Sequence, residues 1–198
     1  MIINQDFDVA QPVDKVWQFF DNIPQVAACL PGAELTKDLG DDKYEGRVAI
    51  RMGPVRMQFL GTADIVERDN AKKHIVVNAA GADEKGRGQA AMKVGATLTP
   101  KGPNGTKVSV AQDLQLSGAA AQYGRGMISD VSAILMRDFS VNMQDRIERL
   151  ERGESLEQIN AAAGGRSASG FGIALRAARL ALTRVFKRFF LPYQPATS

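Results

Sequence analysis

Cys29, His74, the Gly86-Arg87-Gly88 run and scattered carboxylates are the residues whose types could do chemistry in this chain. A cysteine becomes a nucleophile when a cationic or basic neighbour lowers its pKa. Cys29 lies between Ala27-Ala28 and Leu30, far from histidine in sequence, and reads as a small buried apolar residue. His74, the single histidine, follows Lys72-Lys73 at a strand start and reads as a surface residue. One histidine and one cysteine are too few for a His-rich or Cys-based metal site, and they fit a Ser-His-Asp triad poorly. Gly86-Arg87-Gly88 precedes no helical pattern, so it reads as a turn and not a phosphate loop. Glu45, Asp64, Glu67 and Asp113 fall on the outward faces of strands, where paired acid–base work has little support. Tyr44 and Gln112 are the inward polar side chains, and a cyclase or hydratase on a hydrophobic substrate would have to use them. With no catalytic constellation beyond that pair, the chain reads as non-enzymatic.

The same strands offer a container. From the sheet, Tyr44, Val48 and Ile50 point inward, as do Val55, Met57 and Phe59. Val77, Met92, Val94, Val110 and Leu114 continue that lining, and Ile128, Val131 and Leu135 face it from a helix. Small residues Gly46, Gly61, Ala63, Ala79, Ala90 and Ala96 share the inward face and leave room. Methionine supplies an adaptable apolar wall. An ordinary packed core is the competing reading of the same residues.

The elements that position them follow from periodicity. Ile3 to Val9 alternates and reads as a strand. Gln11 to Phe20 opens a short helix in which Pro12 suits the first turn, and Val13, Val16, Trp17 and Phe20 share a face. Ile23 to Leu30 reads as a second short helix, ended by Pro31-Gly32. Strand periodicity then runs to Leu116, with turns at Gly53-Pro54 and Pro100–Gly105. One apolar and one polar face per strand predict an antiparallel sheet covered on one side. Ala119 to Glu151 supplies the cover, a long helix on which Ile128, Val131, Leu135, Phe139, Met143, Ile147 and Leu150 align. The fold class is α+β, with an antiparallel sheet of about six to seven strands wrapped around a long helix over residues 1–152. A linker is expected over residues 153–170, with a helical turn or two near Ser155 to Ala163. A basic amphipathic helix follows over 171–191 and a flexible end over 192–198.

Charge sets that last helix apart. Glu157 is the last acidic residue, and the 41 residues after it carry Arg166, Arg176, Arg179, Arg184, Lys187 and Arg188. The tail holds +6 of a chain whose net charge is +3, so residues 1–157 sum to −3. Phe171, Leu175, Leu182, Val185, Phe186 and Phe189 gather on one helical face, with Phe190 following. Arg176, Arg184, Lys187 and Arg188 form the polar face, and Arg179 sits at the border, where its stem can lie on apolar ground. Five charges lie within residues 171–191, and each costs roughly 2.5–3.5 kcal/mol at mid-membrane. An interfacial helix on an anionic leaflet is therefore expected, and a spanning one is not. No aromatic-interleaved basic groove points to nucleic acid. The N-terminus lacks a basic region and an apolar signal core, and residue 2 is not glycine, so a cytoplasmic protein at the inner membrane face is expected.

Certain residues carry a resemblance. They are Pro12 with Val16-Trp17, Cys29-Leu30-Pro31-Gly32, Tyr44, Gly53-Pro54-Val55, Gly61, the Gly86/Gly88 pair and Ala121-Gln122-Tyr123-Gly124. With this element order, residues 1–150 resemble the START-like, polyketide-cyclase (SRPBCC, helix-grip) superfamily, and more narrowly the carbon monoxide dehydrogenase CoxG family. The resemblance implies a cavity between sheet and long helix. It also implies an accessory role beside a molybdenum hydroxylase at the inner membrane face. Electrons from CO oxidation must reach a carrier dissolved in the membrane, so a respiratory quinone, menaquinone or ubiquinone, is the expected ligand. No metal is expected.

Overall fold

In a computed structural model residues 1–167 are described, with side chains described to residue 161. The chain begins with β1 (Ile2–Val9), α1 (Val13–Asp21) and α2 (Ile23–Cys29). Six strands follow: β2 (Ala33–Gly40), β3 (Lys43–Met52), β4 (Val55–Asp69), β5 (His74–Asp83), β6 (Gln89–Pro100) and β7 (Thr106–Leu116). A 3-10 turn (Gly118–Gln122), α3 (Arg125–Glu151) and α4 (Leu156–Ser167) complete it. The sheet has seven strands in the order β1-β7-β6-β5-β4-β3-β2. Every pairing is antiparallel. β1 joins beside β7 and extends an otherwise sequential meander. This is the α+β, helix-grip arrangement that the periodicity predicts.

Local chemistry sets the ends of these elements. Pro12 is the N-cap of α1 and not a first-turn residue, with φ −56° and ψ 145°. Its fixed φ suits an extended cap, and its carbonyl accepts from Lys15 and Val16 N–H groups. The Asn22 side chain caps α2 by accepting from the Gln25 N–H. At the β2–β3 hairpin, Asp41 and Asp42 both adopt positive φ, 50° and 57°, as the favoured two-residue turn requires.

The interior divides in two. A larger core gathers Val9, Val16, Trp17, Phe19, Phe20 and Cys29 with Ile75, Leu98, Val108 and Val110 of the sheet. The C-terminal half of α3 closes it with Phe139, Met143 and Ile147. Phe7 of β1 meets Phe139 edge to face, ring centroids 6.0 Å apart. A smaller core holds Met52, Met57, Phe59 and Ala120, with Tyr123 and Val131 packed on it.

Three further expectations are corrected. The long helix does not start at Ala119. The 3-10 turn ends at Gln122, Tyr123 is extended, and Gly124 caps α3. The cause is Gly118, at φ 66°, whose backbone meets the Arg87-Gly88 turn so that Ala119 N–H bonds Arg87 O at 2.7 Å. A helix over those residues would break that contact. Leu150, aligned with the α3 stripe, is 37% exposed because the helix there has passed the edge of the sheet core, and Ile134 is buried instead. The linker expected over 153–170 is helical from Leu156 to Ser167. Ser155 Oγ accepts from Gln158 N–H at 3.3 Å while Gln158 Oε1 accepts from Ser155 N–H at 3.0 Å, a capping box that starts α4. Ile159 is 1% exposed and anchors it. Asp83, which precedes the Gly86-Arg87-Gly88 turn, is buried at 3% exposed. Residues 168–170, the basic helix over 171–191 and the end over 192–198 lie outside the described residues.

Candidate ligand-binding site

Register decides which side chains can meet. Tyr44 pairs with Ala63, Val48 with Phe59, and Ile50 with Met57. Ile65 pairs with Val77 and Ala63 with Ala79. Val77 pairs with Val94 and Ala79 with Met92. Met92 pairs with Leu114 and Ala96 with Val110. Side chains alternate along a strand, so all the sheet residues expected to line a cavity share the face that packs on α3.

They do not share one role. Met57, Phe59 and Val110 are 0%, 5% and 7% exposed and are closed into the two cores, so they offer no open wall. Val48, Ile50, Val55 and Val131 pack on the smaller core, and Val77 and Val94 on the larger. Tyr44, Met92, Leu114, Ile128 and Leu135 belong to neither core and stay half-buried. They leave a less tightly closed zone between the two cores, a gap in the packing.

The gap has a covalent cause. Gly46 pairs with Gly61, Gly61 with Gly81, and Gly81 with Ala90, so a row without large side chains crosses the sheet. A Cβ on Gly61 would lie 1.9 Å from the Ala80 carbonyl oxygen, so the backbone approach itself demands glycine there. Above that row the backbone of α3 packs mainly on β1 and α2 and less on the central strands.

Polar groups enter this apolar zone at a few points. Gln112, 6% exposed, accepts from Ser132 Oγ of α3 at 3.3 Å through Oε1. Its Nε2 is buried and unpartnered, and so is Gln5 Oε1 on the neighbouring strand. Burial, with Asp38 and Asp42 adding, pushes the Tyr44 phenol above its usual range against the pull of Arg68. Tyr44 is therefore neutral and donor-competent at physiological pH.

At one end of the smaller core, the Asp83 carboxylate accepts from Arg87 Nε at 2.7 Å and Nη2 at 2.8 Å, and from Gln58 N–H at 3.2 Å. Arg87 holds the Asp83 carboxyl well below the usual carboxylate range, against opposing burial. Arg87 also donates to Arg56 O at 2.9 Å. The Gly86-Arg87-Gly88 run is thus a turn held by a buried carboxylate. Asp83 precedes Arg87 by four residues, and that spacing was the sequence signal for the pair.

The remaining candidates are structural. Cys29 is fully buried, its thiol donates to Gln25 O at 3.3 Å, and burial pushes the thiol up to about 12. His74 is half-buried and not a free surface residue, because its Nδ1 lies 2.7 Å from Thr97 Oγ1 across β5 and β6. The structure has two grooves among the described residues. One of about 730 Å³ runs between the β6–β7 turn and the outer side of α3, at Val9, Pro103, Val141 and Gln144. One of about 530 Å³ lies over the ends of β5, β6 and β7, at Gly81, Ala90, Ala91 and Leu116, and so touches the end of the small-residue row. Neither is bounded by the expected lining residues.

A seven-stranded antiparallel sheet in this order, packed against a long C-terminal helix, defines a START-like fold. Solved structures agree. A conserved protein from Geobacillus kaustophilus superposes with TM-score 0.68 at 21% identity, covering 75% of this chain and 96% of that one. The ZhuI aromatase/cyclase from Streptomyces sp. R1128 gives 0.55 at 15% identity, over 75% and 94%. A START superfamily protein from Mycobacterium smegmatis gives 0.50 at 14% identity, over 75% and 98%. At these identities the likeness establishes the fold alone. A search of curated proteins by sequence found no match. The profile of the carbon monoxide dehydrogenase CoxG family matches residues 6–148, and the chain belongs to that family.

Proposed function

We propose that this protein is a non-enzymatic accessory of a molybdenum-containing carbon monoxide dehydrogenase, and that it carries a respiratory quinone between that enzyme and the cytoplasmic membrane. Family membership supports the accessory role. The observation that carries the ligand is the gap: inward-facing Tyr44, Met92, Leu114, Ile128 and Leu135 remain half-buried between two separate cores. Apolar walls with a few convergent polar groups suit a hydrophobic ring with carbonyl oxygens. CO and water yield CO₂, two protons and two electrons. A quinone takes up two of each to become the quinol, which returns to the membrane.

The tail supplies the membrane end of the route. Its basic residues and apolar face suit an anionic leaflet, where each Lys or Arg near the surface contributes on the order of 1 kcal/mol. Among the described residues no helix is long and apolar enough to cross a membrane. Menaquinone and ubiquinone fit the reading equally, and no metal takes part.

Recruitment to the membrane without a ligand is the second reading. It is favoured by the two described grooves, neither of which is bounded by Tyr44, Met92, Leu114, Ile128 or Leu135. One experiment separates the two. The full chain is incubated with anionic vesicles containing menaquinone or ubiquinone, reisolated and extracted for mass spectrometry. Co-purifying quinone supports the carrier. Vesicle binding without quinone overturns it in favour of recruitment alone.

A further inference from the structure

Among the described residues, Gln112 is the one polar side chain from the sheet that is both more than nine-tenths buried and left with an unmet donor. It lies on β7 between Val110 and Leu114 and opposite Val94, on the face toward α3. Ser132, its partner, stands within a turn of Ile128 and Leu135 on the helix. The pair therefore joins sheet to helix beside the gap and away from the charged rim. A buried amide N–H without an acceptor costs free energy that a bound oxygen can recover.

We propose that Gln112, positioned by Ser132, is the anchor for the ring oxygen of the bound quinone, and that the pair serves the oxidised and the reduced ring alike. This rests on the quinone-carrier reading. Ser132 Oγ donates to Gln112 Oε1, so Nε2 is the free end, and an N–H donor suits a quinone carbonyl, which only accepts. A serine hydroxyl also accepts. If the amide turns over, Nε2 donates to Ser132 and Oε1 becomes the free end. A free carbonyl suits the quinol hydroxyl, which donates. The same two side chains thus hold both forms without a charge, as a carrier that collects one form and returns the other requires. An arginine or a carboxylate in that place would favour one form.

The test uses the full chain, anionic vesicles carrying menaquinone, and the same vesicles reduced with dithionite. Wild type should take up both forms to a similar extent. Gln112→Leu should take up roughly fivefold less of each, the loss of about one hydrogen bond. The carbonyl stretch of bound menaquinone should lie lower in wild type than in Gln112→Leu, which a purely structural role for Gln112 would not produce. If Gln112→Leu fails to fold, Ser132→Ala carries the test, with a smaller loss and a smaller shift in the stretch, because Gln112 keeps its donor but loses its positioning partner. Uptake by wild type with unchanged uptake and stretch in Gln112→Leu overturns the anchor and leaves the carrier standing. Absence of uptake by wild type overturns the carrier itself.

Discussion

Gly61 of β4 stands opposite Gly81 of β5 in the middle of the sheet, and a Cβ on Gly61 would meet the Ala80 carbonyl oxygen at 1.9 Å. That pair, with Gly46 beside it, keeps the two cores apart. Ala63, the next inward residue on β4, pairs with Tyr44 and Ala79. Ala63→Phe should fill the gap and leave the fold intact, at a cost of about 1–3 kcal/mol from overpacking. Quinone uptake from vesicles should fall to background while vesicle binding persists. Full uptake by a folded Ala63→Phe protein would place the ligand elsewhere.

Asp83 predicts an acid response. Arg87 lowers its folded pKa below the ordinary 3.8, so its contribution is fully present above that value and fades as pH falls toward the folded pKa. Asp83→Asn should lower the melting temperature at neutral pH. The difference from wild type should narrow only below about pH 4. Melting curves from pH 7 to 2 measure it, and a difference that stays constant through the acid range contradicts the assignment.

α4 should behave as a docked helix with one main anchor. Ile159→Ala removes a side chain that is 1% exposed, at a cost of about 2–5 kcal/mol. Asn160 loses its hold at the same joint, since its Oδ1 accepts from Arg146 Nη1 at 3.0 Å. Hydrogen exchange over residues 156–161 should accelerate by orders of magnitude, with the amides of β5 to β7 unchanged. Uniform acceleration across the sheet would mean that α4 is integral to the core.

Cys29 should be inert while the domain is folded. Burial raises its thiol to about 12, with Arg146 opposing, so thiolate is scarce at neutral pH. A colourless aromatic disulfide reagent at pH 8 should label it only after guanidinium unfolding. Rapid labelling of the native protein would refute the burial.

The strands, both short helices, the sheet class and the shared inward face were legible because strand alternation and helical spacing are local. Tyr44, Met92, Leu114, Ile128 and Leu135 fell on the right face for that reason. Ser155 and Gln158 have the spacing of a capping box, but Gly164-Gly165 reads as linker and hides the length of α4. What remained hidden depended on neighbours distant in sequence. Periodicity marks Met57, Phe59 and Val110 as inward but not as sealed, because sealing comes from the strands and helix that close over them. Asp83 reads as a turn residue until Arg87 and the Gln58 backbone surround it.

By itself the sequence determined the helix-grip architecture, the set of residues that face inward and the asymmetry of charge between domain and tail. Composition and period are enough for those, since each is settled by the backbone geometry of one element. Only the tertiary structure decided that the interior is two cores with a gap, that Gly46, Gly61, Gly81 and Ala90 align in one row, that Gln112 meets Ser132 beside the gap, and that Asp83 is buried. Those facts depend on where β4, β5, β7 and α3 come to rest against one another. That placement balances packing over the whole domain, and no single stretch of chain encodes it.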